Sequence, residues 1–128
     1  MKHILLVDDD LAFRQPLAGI LEREGFAVQT AANGTEAMAL YRQRPADLLI
    51  LELILPMQDG LEVLGELRRT EPGLRIIVMS GGGRFVSPGH LLRMAEYLEA
   101  DATLAKPFSR DEIQLAIARL LPATHQFA

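Results

Sequence analysis

In this sequence, side chains able to do chemistry stand where apolar runs end. HILLV (His3–Val7) stops on Asp8, Asp9 and Asp10. LLIL (48–51) stops on Glu52, RIIVM (75–79) on Ser80, and ATLA (102–105) on Lys106. A run without polar alternation suits a strand covered on both faces, as in the middle of a parallel sheet. A carboxylate ending such a strand is costly unless a cation or a metal accompanies it. Carboxylates a few ångströms apart also repel one another and cannot all stay ionised unaided. Mg²⁺ answers that need, since it favours a few carboxylates completed by backbone carbonyl and water. Lys106 adds a fixed positive charge and Ser80 a hydroxyl donor. Such a set suits a phosphoryl group: metal and lysine neutralise it, and the hydroxyl bonds one of its oxygens.

Helical patterns separate the strands. Phe13, Leu17, Ile20 and Leu21 recur at helical spacing after Asp10, a fitting N-cap, and Gly25 ends that helix. Pro16 lies inside it and predicts a kink or a late start. Phe26–Ala31 reads as a second strand. Asn33 caps a helix running to about Arg42, with Glu36 as its capping-box partner. Asp59 caps a third helix, with Glu62 completing a box, and Pro72 and Gly73 close it. Ser87 and Pro88 open a fourth, which is expected to turn Leu91, Leu92, Met94, Ala95 and Leu98 inward. Ser109 and Glu112 box a fifth, ending near Leu121. The glycine-rich segment Gly81–Gly89 is expected to be mobile, and residues 122–128 to fray.

Strand and helix thus alternate five times. Parallel strands need right-handed crossovers, so the fold class is α/β, a doubly wound five-stranded parallel sheet. Ligands in such sheets sit beyond the carboxyl ends of the strands. Asp8, Asp9, Glu52, Ser80 and Lys106 all fall on that edge.

The 128 residues suit one domain with a real core, and the 49% apolar content argues against disorder. Without cysteine there are neither disulfides nor thiolate metal sites. The net charge of -4 disfavours nonspecific nucleic-acid binding. No apolar run is long enough to span a membrane, and three acids stand where a signal peptide would stay apolar. A cytoplasmic location is the default expectation. His3, His90 and His125 lack metal-ligand spacing and read as surface or edge residues. The helix faces are mixed in charge and define no dimer seam, which leaves the oligomeric state open.

Four pieces occur in order on the right elements: ILLVDDD (4–10), the strand before LPMQDG (55–60), IVMSG (77–81) and LAKPF (104–108). With them the chain resembles a response-regulator receiver domain of two-component signalling, over about Lys2 to Leu121. The resemblance implies a flavodoxin-like (βα)5 fold with strand order 2-1-3-4-5. It implies that Asp8 and Asp9 hold Mg²⁺, that Glu52 occupies the phosphoacceptor position beside the metal, and that the Ile54 carbonyl completes the metal site. Ser80 matches the switch hydroxyl, Lys106 the lysine that contacts the phosphoryl group, and Thr103 a switch position. The implied role is signalling rather than enzymatic, through a histidine kinase, a phosphotransfer protein or a downstream protein target. Residues 1–121 would form the receiver domain, and no output domain is expected after it.

Two departures from the family stand out. Its phosphoacceptor is aspartate, and the extra methylene of Glu52 moves the carboxylate by roughly 1.3–1.5 Å, about one carbon–carbon step. In-line transfer tolerates such displacement poorly, and an ångström costs up to ~100-fold. Glu52 is therefore expected to be phosphorylated weakly or not at all, and to reach toward Lys106 and Ser80 instead. Threonine at 103 replaces the usual Tyr or Phe and has no ring to move. The competing readings are a conventional phosphoacceptor that works with Mg²⁺ despite Glu52, and a small flavodoxin-like hydrolase or nucleotide binder. A hydrolase needs a substrate lid for which the chain leaves no room. A nucleotide binder needs a Ser/Thr-rich or G-x-G-x-x-G loop where this chain has DDDLAF.

Overall fold

The computed structural model describes residues 1–81 and 87–121. Five strands and five helices alternate along the chain. They are β1 (His3–Val7), α1 (Leu11–Arg23), β2 (Ala27–Ala31), α2 (Gly34–Gln43), β3 (Leu48–Glu52), α3 (Gly60–Thr70), β4 (Arg75–Ser80), α4 (Pro88–Tyr97), β5 (Ala102–Ala105) and α5 (Arg110–Leu120). All strand pairs are parallel, in the order β2-β1-β3-β4-β5. The chain reverses its direction of winding between β1 and β3, which makes their tips the topological switch point.

Unbroken apolar runs are explained by burial on both faces. Every residue of β1 and β3 is buried. Leu5, Val7, Leu49, Leu51 and Val78 pack with residues of α2, α3 and α4, whereas Ile4, Leu6, Leu48, Ile50 and Ile77 pack with residues of α1 and α5. Two half-cores thus share one sheet, and the register Val7↔Leu51↔Val78 brings the strand tips level.

Helix ends follow the capping chemistry with local differences. Ser109 and Glu112 form the full reciprocal box. Asn33 accepts the Glu36 amide, but the Glu36 carboxylate reaches one residue further back, to the Ala32 amide (2.8 Å). Asp59 accepts the Leu61 amide (2.7 Å), and Glu62 closes no box with it. α1 starts at Leu11 and carries Pro16 in its second turn, where proline forfeits one intrahelical bond. Met94 does not face inward: it is 40% exposed, and the buried stripe of α4 is Leu91 and Ala95. The four-residue separation selects those two; Met94 falls outside the stripe. Residues 82–86 of the glycine-rich segment and the tail 122–128 lie outside the described residues.

Arg68 ties the sheet's far end together. Its guanidinium donates to the carbonyls of Pro72, Leu74 and Glu99 and to the Asp101 carboxylate (2.8 Å), which also accepts the Ile76 amide. No helix among the described residues is long and apolar enough to cross a membrane.

His3 corrects the surface reading. It is buried in β1, at 4% exposure. Burial and the nearby Arg44 charge lower its pKa from 6.5. The unfolded chain therefore binds a proton that the folded protein resists, so stability present above pH 6.5 is lost on acidification below it. His3→Leu is expected to flatten the fall in urea midpoint between neutral and mildly acidic pH. Equal pH slopes for both proteins would exclude His3 as the cause.

Gly60 has a packing reason. A Cβ there would stand 2.3 Å from the Glu52 carbonyl oxygen and 2.6 Å from Leu53 Cα. Backbone cannot yield as a flexible side chain can, so Gly60→Ala is expected to destabilise by about 1–3 kcal/mol, as overpacking does. Urea unfolding measures it, and an unchanged midpoint would show that the loop gives way freely.

Candidate functional site

β1, β3 and β5 deliver the charged groups to one edge. Asp8 follows β1 directly and is fully buried; Glu52 closes β3 and is 5% exposed. Lys106 follows β5, its amide bonded to the Ser80 carbonyl (2.9 Å), which continues the β4–β5 ladder. From there the Lys106 Nζ reaches Asp8 Oδ2 and Glu52 Oε1, each at 2.6 Å. One ammonium bridges two buried carboxylates.

The remaining oxygens are also engaged. Asp8 Oδ1 accepts the Asp10 amide (2.9 Å), and Glu52 Oε2 accepts the Ile54 amide (3.1 Å). Arg14 donates to the Asp8 carbonyl (2.7 Å). The Lys106 ammonium lies 4.1 Å from the centroid of the Phe13 ring, and Phe13 meets Phe108 edge-on at 5.7 Å. Burial alone would push the Lys106 ammonium toward losing its proton; the two carboxylates outweigh it and hold the pKa above the ordinary 10.5. A raised lysine pKa means the pair stabilises the fold fully below pH 10.5, and that this stabilisation fades as pH climbs through the folded value.

The structure therefore brings Asp8, Glu52 and Lys106 together. Ser80 is fully buried at the tip of β4 and opposite Ala105. Asp9 is exposed at the rim and makes no ion pair among the described residues. Ile54 is 41% exposed and donates its amide to Glu52. Thr103 is half-buried in β5 opposite Val78 and lines a cavity of about 270 Å³ beside α5. Phe13 and Arg14 escaped sequence reasoning. The signal was present, since helical phase puts both one turn beyond the acidic loop, but Phe13 passed for core. The candidate metal ligands at this edge offer oxygen only, which suits Mg²⁺; the family resemblance would assign it to Asp8, Asp9, Glu52 and the Ile54 carbonyl. Among the described residues no group of three or more His, Cys, Asp or Glu side chains is placed to hold a metal. Two of the acids are compensated by lysine instead.

A doubly wound sheet with acids and a lysine at its switch point suits binding of a phosphoryl group. The response regulator receiver domain family matches residues 4–118. Chemotaxis protein CheY of Halobacterium salinarum is 32% identical over 95% of this chain and 98% of its own. Sporulation initiation phosphotransferase F of Bacillus subtilis is 32% identical over 94% of each chain. The crystal structure of response regulator TrrA from Thermotoga maritima, in complex with Mg²⁺ and BeF, aligns with a TM-score of 0.83 at 33% identity, over 94% of this chain and 100% of that one. The chain belongs to the response-regulator receiver family. Receiver domains are signalling modules rather than catalysts in the usual sense; they generally bind Mg²⁺ at the acceptor site and interact with histidine kinases, phosphotransfer proteins or downstream targets.

Removing the bridging cation leaves two buried carboxylates uncompensated. Lys106→Met is expected to cost about 3–5 kcal/mol, the range for a broken buried pair. Adding Glu52→Gln should restore part of it, because one uncompensated charge is gone. Chemical denaturation of the three proteins checks this; a single variant as stable as the parent would show that the bridge contributes nothing.

Proposed function

We propose that this receiver module acts through protein contacts, with phosphorylation at position 52 weakened or lost and the Glu52 carboxylate lying where a phosphoryl group would meet Lys106. The observation that carries this reading is the double engagement of Glu52: Oε1 on the Lys106 ammonium at 2.6 Å, Oε2 on the Ile54 amide at 3.1 Å. An oxygen held by an ammonium is a poor nucleophile toward a phosphodonor, because its electron pair is drawn toward the cation. The longer side chain also moves the attacking atom off the aspartate position, and reach matters steeply in displacement reactions. The standing ion pair carries one negative charge, against about two for a phosphoryl group, so it is a partial stand-in.

In this reading the signalling unit spans residues 1–121, with Ser80 as the switch hydroxyl and Thr103 as a switch position without a ring to move. Mg²⁺, if bound by Asp8, Asp9, Glu52 and the Ile54 carbonyl, would supply the positive charge that lets an incoming phosphoryl group approach the acids. That TrrA, a relative of the same fold, was solved in complex with Mg²⁺ and BeF supports a cation in this reading. Partners in this reading are a histidine kinase, a phosphotransfer protein or a downstream protein target.

The test uses a small-molecule phosphodonor and Mg²⁺, read by intact mass. The native protein is expected to gain little or no acid- and base-sensitive phosphate, and Glu52→Asp to gain it up to ~100-fold faster, the scale of an ångström's displacement. Ready, stoichiometric labelling of the native protein would instead make it a conventional phosphoacceptor.

A further inference from the structure

Lys106 is held from three sides. Two are the Asp8 and Glu52 carboxylates, and the third is the face of Phe13, 4.1 Å from ring centroid to Nζ. An aromatic face carries negative charge density and attracts a cation most strongly where water is scarce. The Lys106 side chain is only 18% exposed, so the contact is largely dry. Phe13 is itself steadied by the edge-on Phe108 ring, with centroids 5.7 Å apart and planes at 84°. Phe108 follows Lys106 by two residues, and Phe13 sits in the first turn of α1. The two rings therefore join α1 to the loop that carries the lysine.

We propose that Phe13 is a positioning residue: its ring face fixes the Lys106 ammonium on Asp8 and Glu52, and so sets how firmly the pair is closed. The proposal rests on the reading of the Lys106–Glu52 pair given above. The ring does more than fill space. A leucine of similar bulk would fill the same corner without attracting an ammonium. The two rings also line an apolar groove of about 250 Å³ between α1 and α5, together with Pro16, Leu17 and Ile113. Phe13 thus has the ammonium on one side and solvent-accessible groove on another, and any displacement of the ring acts directly on the lysine.

The experiment varies the ring's charge distribution at constant shape. Mono-, di- and trifluorinated phenylalanines are placed at position 13 of the full chain, and the hydrogen exchange of the Lys106 ammonium is followed by NMR. Fluorine drains the ring face stepwise, so exchange should accelerate with each fluorine, reaching roughly 2- to 30-fold, the span of such contacts from exposed to desolvated. Phe13→Leu should match the most fluorinated ring, and Phe13→Tyr should restore slow exchange. A series flat across all rings, with Leu equal to Phe, overturns the role of Phe13. Glu52→Gln in parallel separates this from the underlying reading: it must accelerate exchange if the ion pair holds the lysine, and no response there would overturn the pair itself.

Discussion

One ammonium shared between two buried carboxylates is the constraint around which this fold is arranged. Asp8 and Glu52 end strands that are buried along their whole length. Two such charges without compensation would cost several kcal/mol each. Lys106 meets both at 2.6 Å, and it can do so only because β1, β3 and β5 end level at the same edge. The register that levels them is set by apolar residues on both faces of the sheet. Gly60 then lets α3 begin directly against the Glu52 backbone, where any side chain would intrude.

Much of this was legible in the sequence. Strand limits at β1 and β3 follow the apolar runs, because burial on both faces leaves little room for polar residues before the strand tip, and the limits of β4 and of the less buried edge strand β5 also match the sequence. The acids and the lysine were legible for the same reason, since each interrupts such a run. What escaped notice depends on partners distant in sequence. His3 read as a surface or edge residue, yet it pairs with Ala27 in β1–β2 and is buried. Met94 shares an apolar character with its neighbours, but one helix face accommodates only Leu91 and Ala95 fully. The Glu36 carboxylate chose the Ala32 amide over the cap residue, a choice of about one residue that spacing alone does not resolve. Phe13 meets Lys106 across 93 positions of chain, and no local pattern announces that contact.

In the proposed reading, the departures from the family fall at two places that a phosphorylation switch would use. Glu52 has one oxygen on the Lys106 ammonium and the other on the Ile54 amide. Threonine stands at 103, half-buried in the edge strand. With the acceptor occupied by its own longer side chain and no ring on β5 to relocate, the reading above describes a module whose signal depends on which partner meets it, and less on a transient covalent mark. The Arg68 cluster joins α3 to the residues that follow α4 and to the start of β4, at the opposite end of the sheet from the acid edge.

The most direct measurement is a backbone amide NMR titration with Mg²⁺ and beryllium fluoride, a phosphoryl surrogate that needs a free acceptor carboxylate. If Lys106 and Ile54 already occupy both Glu52 oxygens, the amides of Ile54, Ser80 and Lys106 should keep their positions at saturating fluoride, apart from changes that Mg²⁺ alone produces. Saturable shifts at those three amides that require beryllium would show an acceptor carboxylate open to a phosphoryl group, and would contradict the account.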